Sequence, residues 1–370
     1  MPGKLVSLVA TVSMLIAACT CAANGFVAGA DFSDLALIES KGAAYRDGGQ
    51  AQDAVGILKR HGITCVRLRL FTSSDSQAQA HPCDYVNNLD YTVPLAVRVK
   101  NAGLLFMLDF HYSDTWADPG HQAKPSTWTN LTFAALVRQM YLYNSNCIAA
   151  FKRAGAMPDY VQVGNEITSG MLWPDGEVGG SHDTPTQWMH LGQLMNSAIR
   201  GIRDAAGTQM PKLVIHIDRG GDWAATQWFF DHLVRQQVQF DAVAESYYPF
   251  WHGPLGDLQT CLSNAARRYG KPVLLAETAF PWTNSYWKAS IVGITPSPSG
   301  QVDYVTALAQ VVRSVPGGKG LGIFWWGAGY QPVTCQGAFD TTSFFDYGGN
   351  VLPVTDAIGM LAVPLPPQEH

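Results

Sequence analysis

The stretch LLFMLDFHY at residues 104–112 decides the architecture. Its first part is of strand length and almost continuously apolar, which suits a strand covered on both faces. It ends on residues that can carry charge, Asp109 and His111. ITCVRLRL at 63–70 repeats the form, with Arg67 and Arg69 near its end. Working outward, six more runs of this kind appear: Phe26–Ala30, Tyr160–Gly164, Leu213–Ile217, Phe240–Ala244, Pro272–Ala276 and Leu321–Trp326. Between or after them fall stretches with helical periodicity, near 51–61, 92–102, 129–154, 185–206, 223–236, 255–269, 301–314 and 353–361. In the first of these, Ala54, Ile57, Leu58 and His61 share one face, and Gly62 ends it.

Eight buried strands in alternation with eight helices predict a parallel sheet closed as a (β/α)8 TIM barrel. An open doubly wound sheet would alternate too, but no G-x-G-x-x-G follows any of the runs, which weakens its nucleotide-binding form. The turn-rich PSPSG at 296–300 reads as a loop before the seventh helix, and PLPPQ at 364–368 as a tail. No linker or repeat divides the chain, so residues 25–365 are expected to form one domain. A monomer is expected, though nothing in the sequence fixes the oligomeric state.

Composition narrows the partners. Charged residues make up 14% of the chain, against about 25% in an average domain. The net charge is −5, which argues against nucleic acid as a partner. Aromatic residues reach 11%, with 11 tryptophans among them. A weakly charged, aromatic-rich protein suits a neutral ligand with apolar faces and hydroxyl edges, as in a sugar.

Residues 1–24 have the build of a secretory signal: Lys4, then a run from Leu5 to Ala18 too short for a membrane span. Ile16-Ala17-Ala18-Cys19 resembles a bacterial lipobox, in which Cys19 would be lipidated and anchor the protein to a membrane. Ordinary cleavage near Ala22 or Ala23 is the alternative. Both imply export. Seven cysteines are present, without a C-x-x-C pair and so without a zinc-ribbon signal. Five follow Cys21, an odd number, which leaves at least one thiol free if Cys19 and Cys21 take no part.

In a barrel of this kind the active site lies at the C-terminal ends of the strands. The polar residues there are Asp31; Arg67 and Arg69; Asp109 and His111; Asn165 and Glu166; Asp218; Glu245, Ser246, Tyr247 and Tyr248; Glu277; and Trp325 with Trp326. Glu166 and Glu277 end the fourth and seventh runs, which can face each other across the mouth. Two facing carboxyls, one protonated and one ionised, are what glycosidic bond cleavage needs. A structural ion pair of each glutamate with Arg67 or Arg69 is the competing reading.

GADFS (29–33), CVRLRLF (65–71), DFHYSDTWADPGHQAKPSTW (109–128), VQVGNEITSGMLWPDG (161–176), SYYPFWHG (246–253) and LAETAFPW (275–282) resemble glycoside hydrolase family 53, the arabinogalactan endo-β-1,4-galactanases. The similarity covers about residues 25–330. It implies a retaining (β/α)8 enzyme acting on β-1,4-galactan, with Glu166 as general acid/base and Glu277 as nucleophile. It further implies that Asn165 binds the sugar 2-hydroxyl, that Arg67 or Arg69 keeps the nucleophile ionised, and that Tyr247 or Tyr248 donates to it. Asp31 and His111 would line the cleft beside the scissile bond. Trp326 would floor the reacting sugar, with Trp116, Trp173 and Trp251 as platforms farther along.

Two departures bear on subsite shape: Gly327-Ala328 follows Trp326 where the family usually has Glu-Pro, and Thr278-Ala279-Phe280 follows the nucleophile. Some family members carry calcium in the loop after the eighth strand. Here residues 327–350 offer Asp340 and Asp346 without a dense run of oxygen ligands, so no essential metal and no cofactor are expected. His111, His216 and His252 read as hydrogen-bonding residues. Two other functions stand beside the galactanase: a related β-mannanase, xylanase or cellulase with the same glutamates, and a non-catalytic glycan-binding surface lipoprotein.

Overall fold

A computed structural model describes residues 25–284, 292–333 and 337–363. The expected export signal at 1–24, Cys335 and the 364–368 tail lie outside the described residues. Eight parallel strands close into a barrel: β1 Val27–Asp31, β2 Cys65–Leu70, β3 Leu105–Phe110, β4 Tyr160–Val163, β5 Lys212–Ile217, β6 Ala242–Ser246, β7 Val273–Thr278 and β8 Gly320–Trp325. Each strand pairs with its neighbours in sequence, and β8 closes on β1. The main helices are α1 Ala54–Arg60, α2 Leu89–Asn101, α3 Phe133–Arg153, α4 Pro185–Ala206, α5 Trp223–Arg235, α6 Leu255–Tyr269, α7 Pro298–Arg313 and α8 Val354–Gly359. Among the described residues no helix is long and apolar enough to cross a membrane.

Local chemistry accounts for the element ends. Asp53 accepts a hydrogen bond from the Gly56 N–H and starts α1, and Thr132 does the same for α3 through Ala135. The PSPSG segment proved to be more than a loop. Ser297 caps the Gly300 N–H and Pro298 takes the first helical position, so α7 begins inside it. The sixth strand starts later than expected, and Phe240 ahead of it packs on Phe230 of α5 and under the Lys271 ammonium.

The side-chain period of two divides each strand between barrel interior and helix layer. Val27, Cys65, Met107, Val214, Ala242, Ala244, Leu274, Ala276 and Phe324 form a separate apolar cluster that plugs the barrel. A Cβ on Gly29 would lie 2.3 Å from the Phe324 ring, so β1 needs glycine where phenylalanine fills the interior. Above this plug, the next inward positions of β1, β2, β3, β4, β5 and β6 are Asp31, Arg67, Asp109, Gln162, His216 and Ser246. A dry apolar base thus carries a polar layer at the C-terminal end. Short pieces cover the rim, including the hairpin Gly170–Met171 with Gly176–Glu177. Cys65, Cys147 and Cys261 are free and buried, and Cys83 is disulfide-bonded.

Candidate active site

Two irregularities bring the glutamates together. After β4 the chain curls through Gly164 at φ +90° and Glu166 at φ +48°. A non-glycine residue in the left-handed region stores backbone strain, which concentrates at functional sites. In β7 strict alternation would send Glu277 outward with Val273 and Leu275. Instead Glu245 pairs with Leu275 and Ser246 with Glu277, so β7 holds one extra residue, Ala276. This bulge resets the alternation and turns Glu277 into the mouth. A carboxylate oxygen of Glu166, one of Glu277 and a ring nitrogen of His216 then lie within 4.8 Å of one another.

Arg67 organises the floor. Its guanidinium, fully buried, reaches Asp31 at 3.1 Å, Asp109 at 2.8 Å and Glu277 at 2.9 Å. It also donates to Gln162 Oε1 at 3.1 Å and Asn165 Oδ1 at 2.8 Å. Arg69 takes Asp34 at 2.6 Å and Asp31 at 3.4 Å, and lies 4.1 Å from the Trp116 ring centroid and 5.0 Å from that of Trp326. Of the two arginines, Arg67 meets Glu277, and Arg69 supports the aromatic wall. Tyr248 donates its hydroxyl to Glu277 Oε2 at 3.0 Å. Tyr247, one position out of phase, faces the other way and donates to the Gly253 carbonyl at 2.6 Å. The expectation of a site role for Tyr247 is therefore corrected.

Other expectations change as well. Asp31 and His111 are 2% and 1% exposed, so they lie beneath the cleft and act on it through neighbours. His111 accepts the Ala117 N–H at Nδ1 and reaches Asp109 at 3.0 Å through Nε2, which makes Nε2 the protonated nitrogen. Trp173 turns its indole N–H to the Ser169 carbonyl and lines neither of the cavities described next. Glu245, grouped with the strand-end polar residues by sequence, points into the helix layer. There it accepts the Arg219 N–H at 3.0 Å and lies 3.0 Å from Thr226 Oγ1.

Two adjoining cavities form the cleft. One, of about 260 Å³, is lined by Trp116, Asn165, Glu166, Tyr248, Glu277 and Trp326, among others. The second, of about 430 Å³, lies beside Glu166 but not Glu277 and adds Asp218, Arg219 and His252. Asp118 and Trp251 line both. Sequence reasoning gave no role to Asp118, Arg219 or Ser246, although Asp118 stands in the 109–128 motif and Ser246 among the strand-end polar residues.

Electrostatics separate the two carboxyls. Burial pushes Glu277 up to about 7, and Arg67 pulls in the opposite direction. Burial, then the negative charges of Glu277 and Asp218, push Glu166 well above the usual carboxylate range. Asp109 goes the other way: burial opposes its ionisation, but Arg67 and His111 hold it below its ordinary value. Glu277 has a cation in contact, whereas Ser246 is the hydrogen-bonding neighbour of Glu166. Glu277 ionises first and Glu166 keeps the proton. The spacing of Glu166, Glu277 and His216 would also admit a metal ion, but both ring nitrogens of His216 are engaged, by Asn165 at 3.0 Å and Ser246 at 2.9 Å. The one lone pair of the neutral imidazole is already engaged in a hydrogen bond. In the loop after β8, Asp346 accepts from the Gly348 and Asn350 N–H groups and so serves its own turn.

The chain is similar to known proteins over most of its length. The family model for glycosyl hydrolase family 53 matches residues 27–358. A protein of Neosartorya fischeri described as a probable arabinogalactan endo-β-1,4-galactanase A is 36% identical, over 84% of this chain and 85% of its own. The GH53 catalytic domain of Ignisphaera aggregans superposes with a TM-score of 0.82 at 31% identity, covering 90% of this chain and 95% of that one. A fungal β-1,4-galactanase structure gives 0.79, also at 31% identity, with 89% and 98% covered. Relatedness that spans every strand of the barrel places this chain in glycosyl hydrolase family 53.

Proposed function

We propose that this protein cleaves internal linkages of β-1,4-galactan with retention of configuration. The observation that carries the reading is the pair Glu166 and Glu277, with carboxylate oxygens within 4.8 Å of each other and unlike surroundings. Retaining glycosidases hold their carboxyls about 5–5.5 Å apart, and inverting ones about 6.5–9.5 Å. In the first step the Glu166 proton passes to the glycosidic oxygen while Glu277 attacks the anomeric carbon, giving a glycosyl ester and a free leaving sugar. Glu166, now a carboxylate, takes a proton from water, which attacks the ester and releases Glu277. Arg67 and Tyr248 hold Glu277 ionised. Asn165 spends one N–H on the Ala117 carbonyl at 2.8 Å, which leaves the other for the sugar 2-hydroxyl. Trp326 and Trp116 form the wall beside the reacting sugar. Galactan is proposed as substrate because relatives over most of the chain bear the galactanase description.

The test is NMR of the first products from linear β-1,4-galactan, with β-mannan, xylan and cellulose as parallel substrates. A β-anomer formed first from galactan supports the reading. An α-anomer, turnover of another polysaccharide alone, or binding without turnover would overturn it. Export through residues 1–24 is likewise proposed, and the mass of the mature N-terminus decides between lipidated Cys19 and cleavage near Ala22 or Ala23.

A further inference from the structure

The general acid must hold its proton before the bond breaks, and the hydrogen bonds around Glu166 have a direction that bears on this. Asn165 cannot be turned over: its Nδ2 must donate to the Ala117 carbonyl at 2.8 Å, and its Oδ1 receives Arg67 at 2.8 Å. Gln162 is fixed too, with Oε1 on the Arg67 Nε–H and Nε2 on the Gly164 carbonyl and Asp109. Asn165 Oδ1 is therefore an acceptor. His216 Nδ1, 3.0 Å away, must carry the hydrogen.

His216 is fully buried, and burial together with the charge of Arg67 holds it neutral. A neutral imidazole with hydrogen on Nδ1 has a bare lone pair on Nε2. Ser246 Oγ lies 2.9 Å from that nitrogen and must donate its one proton there. The same oxygen lies 2.6 Å from Glu166 Oε1. With its proton spent, Ser246 can only accept, so the hydrogen between them belongs to Glu166. The length is ordinary for O–H···O.

We infer that Ser246 and His216 are positioning residues that place the proton on Oε1 of Glu166, through a chain of hydrogen bonds donated from Glu166 to Ser246, from Ser246 to His216 and from His216 to Asn165 Oδ1, the acceptor that Arg67 fixes. The inference rests on the reading of Glu166 as the acid/base. When Glu166 gives its proton to the leaving oxygen, Ser246 must swing its own proton onto the new carboxylate. His216 Nε2 then loses its donor. The ionised acid thus costs one hydrogen bond, which is regained when Glu166 takes a proton from water. The other charged or titratable groups facing this chain are Glu277, Asp218 and Tyr248 around Glu166, and Arg67, Asp109 and His111 around His216.

The direction of the chain has a signed consequence. A serine that donated to a Glu166 carboxylate would favour the ionised form, and its loss would move the alkaline limb of the kcat/KM pH profile up. A serine that accepts from the protonated acid favours the neutral form. Ser246→Ala in the whole protein is then expected to move that limb down by about one pH unit, the worth of one ordinary hydrogen bond. Ser246→Thr should restore it, and an aryl glycoside whose leaving group needs no protonation should show a smaller loss. A limb that stays or rises in Ser246→Ala overturns the inference.

A second measurement needs no substrate. In the wild-type protein with 15N-labelled histidine, the imidazole signal absent from His216→Gln should be the neutral Nδ1–H tautomer at pH 6–8. An Nε2–H tautomer or an imidazolium there overturns the chain even where galactan is cleaved. The Nδ1–H form in a protein that leaves galactan intact instead counts against the proposed function alone.

Discussion

Nη2 of Arg67 lies 2.9 Å from Oε1 of Glu277, and the guanidinium that provides it has no solvent exposure. That one contact shows how the mouth divides its charge. Arg67 and Arg69 face Asp31, Asp34, Asp109 and Glu277, with Glu166 beyond them. The acids outnumber the cations in a space with little water, where an unpaired charge is costly. The arginines neutralise the acids they touch, and the carboxyl out of their reach stays protonated. A protonated carboxyl and an ionised one thus arise from two identical side chains.

Replacement of the pair should separate their roles. Glu166→Ala is expected to lower kcat on galactan by ~10²–10⁴-fold, the usual worth of general acid catalysis. Added azide should then yield a β-galactosyl azide, because a small anion needs no base to attack the glycosyl ester. Glu277→Ala should abolish turnover without such a product. An α-azide, or near-normal turnover in either variant, contradicts the assignment.

The two adjacent tyrosines make a sharper contrast. Tyr248→Phe removes a donor to an ionised carboxyl, which is worth about 1.5–3 kcal/mol, so kcat/KM should fall by roughly 10–100-fold. The acid limb of the pH profile should rise, because the ionised form of Glu277 loses support. Tyr247→Phe removes only the bond to the Gly253 carbonyl. It should cost about 1–2 kcal/mol of stability and leave the pH profile in place. Equal effects of the two changes on the profile would refute the placement.

Glu245 offers a test of stability against pH. It is fully buried outside the cleft, and burial raises it well above the usual carboxylate range, with the Arg219 N–H and Thr226 acting against this. The folded state therefore holds its proton at pH values where the unfolded chain has lost it. Its contribution is full below the ordinary glutamate value and is lost as pH rises through the folded value. Glu245→Gln keeps the shape and cannot ionise. Urea unfolding across pH 4–9 should show a shallower alkaline decline for the variant, the slope contributed by one titrating group being about 1.4 kcal/mol for each tenfold fall in proton concentration. Glu166 and Glu277 slope the same way, so the difference between the two proteins is the readout. Parallel curves would be evidence against a protonated Glu245.

Trp251 is 57% exposed and lines both cavities. Trp251→Ala should raise KM for long galactan by about 5–30-fold, from the loss of roughly 1–2 kcal/mol of apolar contact. The melting temperature and kcat should barely change. A fall in stability instead would mean that the ring serves packing.

The strand positions were legible because a doubly covered strand must be apolar throughout, and all eight runs were found close to where they lie. Six of the eight strand ends carry a carboxyl, Asp31, Asp109, Glu166, Asp218, Glu245 and Glu277, so the two glutamates were legible because family resemblance singled them out. Period-two reasoning alone, however, would have turned Glu277 outward, and residue order could not separate Ser246 from Glu245 or Tyr248 from Tyr247.

Along the chain, then, hydrophobic periodicity determined which segments become strands and helices, since burial of apolar side chains is a local property of the pattern. Only the folded barrel decided which strand-end residues meet. The bulge at Ala276, the left-handed turn at Glu166 and the hydrogen-bond direction through His216 depend on register between strands far apart in sequence. That register is set by how neighbouring strands pack together, and no single segment carries it.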